Sequence, residues 1–441
     1  MRWGATTSYD IITIGSATVD VFANTASELV KFITPNGEND FITYPSGSKI
    51  LISQLDFLIG GGGTNTAASF SRLGLETAFL GKLGDDENAI KVLSMLDSEG
   101  IDFVGARGGQ TGYSIILDSI EHDRTILTFK GANNDLRIED LELEDTLETK
   151  WLYASSMVEE SFETMTAIFD NAHESGVHIA FNPSSYQAKQ GVGELSEVLE
   201  KCTVMVMNHE EAQLLLDKKA PAKELAVELQ QHPEQYIIIT QGPEGATCFH
   251  KDTLYHLNCT PHLNVVETTG AGDAFASGFV AGLIKELPVK DALKLGMVQA
   301  ESVILSRGAK RRLLTWPEAK KRLANFKGQL HKNKVTDKQA HKIKGIEKEY
   351  VPPGFEHHVH GKKRFKLADK RMIASLDELA RTIPEMNDEV FFTHVGDGYN
   401  HFADWIRDVF GLEMLSKTLR KTTDKELTAS ILSMYKTYSQ Q

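Results

Sequence analysis

The run Val265-Val266-Glu267-Thr268-Thr269-Gly270-Ala271-Gly272-Asp273-Ala274-Phe275-Ala276-Ser277-Gly278-Phe279-Val280-Ala281 decides how the rest of the chain is read. A short β-branched run leads into a Gly-Ala-Gly turn, and a small-residue helix opens behind it with Asp273 in its first turn. A helix start presents unpaired N–H groups and the positive end of the helix dipole, so Gly270, Ala271 and Gly272 form a natural anion cradle. A carboxylate beside that cradle repels a resting anion. It gains a purpose if the anion is a phosphoryl group in transfer, because it can take the proton of an attacking hydroxyl. The plainer alternative is a helix start in which Asp273 only complements the dipole.

Composition sets the outer limits. The 441 residues suffice for two domains, and 41% hydrophobic with 24% charged residues is ordinary for a globular protein. No segment approaches the roughly 18 apolar residues of a membrane span, and the start carries no apolar stretch of signal-peptide length. Three scattered cysteines, Cys202, Cys248 and Cys259, suit neither a disulfide framework nor a zinc site. The expectation is a cytoplasmic protein without a membrane role. The net charge of −14 is uneven: residues 310–371 hold 19 Lys+Arg against 6 Asp+Glu, and the remainder 28 against 55. An acidic body argues against nucleic-acid binding.

Working outward, Asp10 to Gly15 reads as a buried first strand, with Asp20 five residues beyond its end. Phe41-Ile42-Thr43-Tyr44 and Ile50-Leu51-Ile52 flank Pro45-Ser46-Gly47-Ser48 and predict a hairpin flap. Gly60-Gly61-Gly62-Gly63-Thr64-Asn65 then opens a helix running through Leu73. Gly60 and Gly62 fit the start of a G-x-G-x-x-G dinucleotide fingerprint, but Asn65 stands at the last glycine position. Strands are expected at Thr111 to Asp118 and Arg124 to Phe129. From Leu141 onward, strands at Trp151 to Ala154, Val177 to Phe181, Val204 to Met207 and Tyr236 to Thr240 alternate with helical patterns. That is the rhythm of a three-layer α/β fold with a doubly wound, mostly parallel sheet. Helices over about Ala274 to Leu283 and Lys290 to Leu305 close it. Asn208 and Glu211 face one side of a helical turn, where they read either as an N-cap with a first-turn acid or as a pair orienting a hydrated Mg²⁺.

Two stretches now carry a resemblance. Thr268-Thr269-Gly270-Ala271-Gly272-Asp273-Ala274-Phe275 resembles the C-terminal signature of the ribokinase-like (PfkB) carbohydrate and nucleoside kinases. The glycine run with Asn65, continued by Arg72-Leu73-Gly74 through Gly84-Asp85-Asp86, resembles their N-terminal signature. One departure is Gly62, where ribokinases tend to have lysine. The resemblance spans residues 8–318 or so and implies an ATP- and Mg²⁺-dependent kinase phosphorylating a sugar or nucleoside hydroxyl. It implies Asp273 as catalytic base and Gly270, Ala271 and Gly272 as anion hole. It implies Asp20, Gly61, Gly62 and Asn65 at the acceptor, and Asn208 and Glu211 at Mg²⁺ through water. Thr240, Gly242, Gly245 and Gln299 fall at the nucleotide, with Gly308-Ala309 near its base. Glu267 stands where many relatives have aspartate beside a monovalent-cation site, which leaves activation by K⁺ open. A small β lid over about 16–59 and 104–130 follows from the same resemblance, and its edge strand invites a homodimer.

The kinase domain is expected over residues 1–326, a basic linker over 327–365 with Val351-Pro352-Pro353-Gly354 as breaker, and an all-helical domain of about four helices over 366–441. Phe402-Ala403-Asp404-Trp405-Ile406 is similar to the core of a small C-terminal module of archaea and some bacteria, a resemblance that assigns no activity. A protein partner for that module is one expectation. His357, His358, His360, His394 and His401 are weak as metal ligands without cysteines. Two other functions compete with the kinase: a non-catalytic ligand sensor or scaffold on the same fold, and an NAD-dependent oxidoreductase built on the glycine run. A P-loop ATPase lacks its G-x-x-x-x-G-K-[ST] motif.

Overall fold

A computed structural model describes residues 8–25, 29–34, 37–42, 46–118, 124–141, 148–336, 359, 363–396, 398–410 and 412–439. The chain divides into two units, Met1–Asp337 and Lys338–Gln441.

In the first unit the strands and helices relevant to the site follow in chain order. They begin with β1 (Ile11–Ile14), β2 (Thr18–Thr25), β3 (Leu29–Thr34), β4 (Gly37–Ile42), β5 (Ile52–Gly60), α1 (Gly62–Arg72), β6 (Thr77–Leu80), β7 (Lys82–Leu83), α2 (Glu87–Ser98), β8 (Asp102–Phe103) and β9 (Ala106–Arg107). Next come β10 (Gly112–Asp118), β11 (Arg124–Phe129), β12 (Trp151–Ser155), α3 (Glu160–Glu174), β13 (His178–Asn182), α4 (Ser185–Ala188), α5 (Gly191–Lys201), β14 (Val204–Asn208), α6 (His209–Leu215) and α7 (Ala222–Leu229). The unit ends with β15 (Tyr236–Thr240), β16 (Ala246–His250), β17 (Thr253–Leu257), α8 (Ala271–Ile284), α9 (Val289–Val303), α10 (Trp316–Ala324) and β18 (Leu330–Lys334).

Ten strands form the main sheet in the order β18-β17-β16-β15-β14-β13-β12-β1-β6-β8. Pairing is parallel from β8 across to β15 and antiparallel from β15 to β18. β1 is apolar at Ile11, Ile12 and Ile14 and buried throughout, as a strand covered on both faces must be. It lies between β6 and β12, so the strand order reverses there. Such a reversal leaves a crevice beyond the carboxyl ends of the strands, where ligands bind in doubly wound sheets. α8 can pack closely on α9 because Gly278 lacks a side chain: a Cβ there would lie 2.9 Å from the Gly296 Cα. Phe275, Phe279, Leu293 and Leu295 from these helices join the buried core with Phe70 and Tyr153.

A second sheet, β11-β10-β2-β5, forms the lid. The predicted hairpin between Phe41-Ile42 and Ile50-Ile52 does not form. β4 pairs with β3, and β5 pairs antiparallel with β2 from Thr18/Gly60 to Thr25/Ile52. β4 takes as its partner the strand that ends two residues before it, and Thr43, Tyr44 and Pro45 lie outside the described residues. A further difference is β18, which lies in the stretch expected as linker but pairs with β17 through Leu257/Leu330 to Thr253/Lys334.

The second unit has its own core, including Leu379, Ile383, Phe391, Phe402, Trp405, Ile406 and Leu432. Its described residues include helices at Leu376–Glu385, Asp388–His394, His401–Phe410, Glu413–Leu419 and Lys425–Ser439. It is also not wholly helical: Phe365–Lys366 pairs with Met372–Ile373, and Val395–Gly396 with Tyr399–Asn400. His394 is buried and its Nε2 accepts the Ala368 N–H at 3.0 Å, which commits it to the backbone. Val351 to Gly354, His357, His358 and His360 lie outside the described residues. Among the described residues no cluster of His, Cys, Asp and Glu could hold a metal ion, and no helix is long and apolar enough to cross a membrane.

Candidate active site

The site is built from strand ends. Ser155, Asn182, Asn208 and Thr240 are the last residues of β12, β13, β14 and β15, and Gly15 follows β1. Asn182, Asn208, Glu211, Thr240, Gly270, Gly272 and Asp273 line a pocket of about 210 Å³. Sequence-distant residues expected at metal, nucleotide and anion hole thus share one wall system.

Gly270 caps α8 in the left-handed conformation, with φ of 78°, which glycine adopts without strain. It also allows close packing, since a Cβ there would lie 2.3 Å from the Ala309 Cβ. Gly308-Ala309 therefore braces the start of α8. The Ala271 N–H turns back to the Thr268 carbonyl at 3.1 Å, which withdraws it from the expected anion hole. The first i−4 bond of the helix is Ala274 N–H to Gly270 carbonyl at 2.9 Å, so the donors that α8 offers an anion are those of Gly272 and Asp273. The Gly272 Cα side is open, with nothing within 4 Å of a built Cβ.

Asp273 meets the acceptor motif directly. The Asn65 Nδ2 donates to Asp273 Oδ2 at 2.8 Å. The other oxygen, Oδ1, lies 3.7 Å from where a Gly62 Cβ would be, and that Cβ would fall 2.8 Å from Ser155 Oγ. A side chain at 62 would therefore fill the space in front of Asp273 Oδ1. Gly61, with φ of 94°, lets α1 begin against Ser16, whose carbonyl accepts from the Gly63 N–H at 3.1 Å. Burial raises the Asp273 pKa above the usual aspartate range, while the Asn65 hydrogen bond and the charge of Lys310 pull it down. Asp20, on β2, is raised by burial too, against lowering contacts from Ser114, Thr18 and Lys310.

Asn208 and Glu211 form the N-cap with its first-turn acid. The Asn208 Oδ1 accepts the Glu211 N–H at 2.8 Å and Glu211 Oε2 accepts the Asn208 N–H at 2.9 Å, a capping box. Both residues also line the pocket. Burial first, then the neighbouring charges of Glu210 and Asp273, raises the Glu211 pKa. A pocket that crowds two carboxylates and an amide oxygen suits a hydrated divalent cation, which needs few protein oxygens.

Two nucleotide expectations change. Gln299 is fully buried and spends its amide on structure: it accepts the Leu314 N–H at 2.8 Å and donates to the Leu314 carbonyl at 3.3 Å and Ser69 Oγ at 3.4 Å. It joins α9 to the approach of α10, with its amide committed to Leu314 and Ser69. Gly245 serves packing, since a Cβ there would lie 2.0 Å from the Leu257 carbonyl oxygen. Gly242 is exposed at the loop, and Thr240 lines the pocket. Glu267 uses one oxygen for the Thr269 hydroxyl at 2.6 Å and the other for the Gly308 N–H at 3.0 Å.

Sequence reading missed Lys310, whose Nζ donates to the Ile59 carbonyl at 2.8 Å, Thr64 Oγ1 at 3.0 Å and Asn65 Oδ1 at 2.5 Å. Nothing local distinguishes it from the basic residues that follow it. Asn182 was also missed, although its place at a strand end, level with Asn208 and Thr240, was a usable signal. Within the glycine run, Gly63 is closed in by Phe79 and Gly15, with a built Cβ 2.6 Å from the Phe79 ring.

The fold is ribokinase-like: the chain covers 100% of a ribokinase from Thermotoga maritima with 72% of its own length, at a TM-score of 0.60 and 19% identity. A nucleoside kinase from Methanocaldococcus jannaschii superposes with a TM-score of 0.59 over 72% of this chain and 98% of that one, at 20% identity. Residues 14–316 match the pfkB family of carbohydrate kinases, and the chain belongs to that family. It is a sugar or nucleoside kinase, a phosphotransferase with an alcohol acceptor. A protein from Archaeoglobus fulgidus described as a sugar kinase is 28% identical over 248 residues, which span 54% of this chain and 96% of that relative. A 5-dehydro-2-deoxygluconokinase from Geobacillus kaustophilus is 26% identical over 265 residues, 56% of this chain and 79% of that relative. Family membership implies ATP use, with Mg²⁺ generally expected.

Proposed function

We propose that the protein transfers the γ-phosphoryl group of ATP to a hydroxyl of an uncharged sugar or nucleoside, with Asp273 as the base. The observation that carries this is the contact of Asn65 with Asp273, which joins the acceptor motif to the helix start that lines the phosphate pocket. Asp273 Oδ1, on the Gly62 side, takes the hydroxyl proton, while the N–H groups of Gly272 and Asp273 receive charge growing on the phosphoryl oxygens. Asn208 and Glu211 would hold a hydrated Mg²⁺ through water, and the ion would supply charge neutralisation at the phosphates. Thr240 and the loop through Gly242 border the nucleotide. No covalent intermediate is needed, because positioning and charge stabilisation are sufficient for phosphoryl transfer.

The acceptor end holds Asp20 and Asp273, and the lysine beside them spends its hydrogen bonds on protein. That balance disfavours an acceptor already bearing phosphate. Apolar side chains exposed on the lid's outer strands, Leu55, Phe57, Ile126, Leu127 and Phe129, support a homodimer through the lid. The functional test is an ATP-consumption screen over D-ribose, D-fructose, ketodeoxy sugars and nucleosides. Acceptor-dependent ADP release is expected from at least one uncharged acceptor. Tight acceptor binding without any ADP release would favour the sensor reading instead.

A further inference from the structure

We infer that Lys310 is a positioning residue: by engaging the Asn65 carbonyl oxygen it fixes the amide so that its N–H must face Asp273. The inference rests on the kinase reading above and adds to it a residue outside both signatures.

An asparagine amide can be turned end for end with little change of shape, and only its partners decide which end faces which neighbour. Here the partners leave one choice. A protonated lysine can donate but not accept, and the Asp273 carboxylate can accept but not donate, so the Asn65 end facing Lys310 Nζ at 2.5 Å is the carbonyl oxygen. The Nδ2 end is thereby aimed at Asp273 Oδ2, at 2.8 Å. That bond occupies Oδ2 and leaves Oδ1 on the Gly62 side to meet an acceptor hydroxyl. Turned over, the amide would set an N–H against the ammonium and a carbonyl oxygen against the carboxylate, two repulsive contacts in one move.

Lys310 is itself held from several directions. Its Nζ also binds the Ile59 carbonyl, at the root of the lid, and Thr64 Oγ1 in α1. Its own carbonyl accepts from Arg72 at 2.8 Å, at the end of α1. The preceding Ala309 packs against the Gly270 cap of α8. One short segment therefore ties together the lid, the acceptor helix and the base-bearing helix. The charged groups around the amine are Asp20 on β2, Asp273 on α8, Glu99 after α2 and Arg72 on α1. Burial pulls the amine down to about 7, with Asp20, Asp273 and Glu99 acting against that shift and Arg72 with it. Its positive charge in turn holds Asp273 toward the carboxylate form.

The test is a double-mutant cycle of Lys310→Met and Asn65→Ala, with Lys310→Arg alongside. It is read as kcat, nucleotide KM and the pH profile of kcat, using ATP and whichever of D-ribose, D-fructose or adenosine the wild type phosphorylates. Lys310→Met should lower kcat by about 10- to 100-fold, as expected when a catalytic base loses its alignment, and move the acid limb to higher pH while nucleotide KM stays within about twofold. Lys310→Arg should restore part of kcat, and in the Asn65→Ala background Lys310→Met should cost nothing further in the pH-independent kcat, its charge effect appearing only in the acid limb. Unchanged kcat and acid limb in Lys310→Met, or additive losses in the cycle, would overturn the inference while leaving the kinase reading intact. Should Lys310→Met not fold, a Lys310→Arg enzyme with the acid limb of the wild type supports the inference, and one with the limb of Asn65→Ala overturns it. A wild type that phosphorylates no acceptor would bring down both readings.

Discussion

Asn65 and Asp273, 208 positions apart in the chain, meet through a 2.8 Å hydrogen bond in which the amide donates to the carboxylate. This contact brings the first turns of α1 and α8 together at the switch point of the main sheet. Its consequence is a largely buried aspartate with one oxygen engaged by Asn65 and the other, Oδ1, turned to the Gly62 side.

The first prediction concerns pH. Burial raises the Asp273 pKa, so the carboxylate is lost at a higher pH than for an ordinary aspartate. A base works only when unprotonated, so kcat must fall as pH drops through that raised value. Asn65→Ala removes a contact that lowers the pKa, and the acid limb should move further toward neutrality. A kcat–pH profile of both proteins checks the sign; movement toward lower pH would contradict it.

The second prediction concerns the metal. Glu211→Gln keeps an oxygen for the Asn208 N–H, and with it the capping box, but removes the charge. The Mg²⁺ concentration for half-maximal activity should rise by about 10-fold or more, as for other groups that orient a bound metal, with the melting temperature nearly unchanged. Activity titrated with Mg²⁺ and a thermal melt separate the two effects.

Gly62 supplies a third. A Cβ there falls 2.8 Å from the Ser155 side chain and 3.7 Å from Asp273 Oδ1. Gly62→Ala should lower kcat/KM for the acceptor by about 10- to 100-fold through displaced geometry, with nucleotide KM unchanged. Steady-state kinetics with each substrate varied in turn provide the check.

Gln299 gives a stability prediction. Gln299→Ala leaves the Leu314 N–H and carbonyl unpaired in the core. A loss of about 2–4 kcal/mol is expected from the stranded groups and the cavity together, measured by denaturant unfolding. Nucleotide KM in the folded variant should be that of the wild type.

The sheet was largely legible because its strands are short apolar runs between helical patterns, and Tyr236–Thr240 lies where the pattern put it. The two signatures were legible because a glycine turn followed by a charged or amide residue has few structural uses. The partner of β4 was a choice between two local turn signals: β3 ends only two residues before β4, and Pro35-Asn36-Gly37 competes with Pro45-Ser46-Gly47-Ser48. Lys310 was hidden for a different reason: its role depends on Asn65, Thr64 and Ile59, none of them near it in sequence. Gln299 shows the converse. Its position suggested a ligand, but its hydrogen bonds close on Leu314.

The most direct test of the whole account is Asp273→Asn, a change that keeps the shape of the side chain and removes its basicity. Turnover should fall by at least about 100-fold, the lower range for loss of a general base, while ATP binding measured by calorimetry is nearly unaltered. An Asp273→Asn enzyme that phosphorylates its acceptor at the wild-type rate would contradict the assignment of the base and the mechanism built on it.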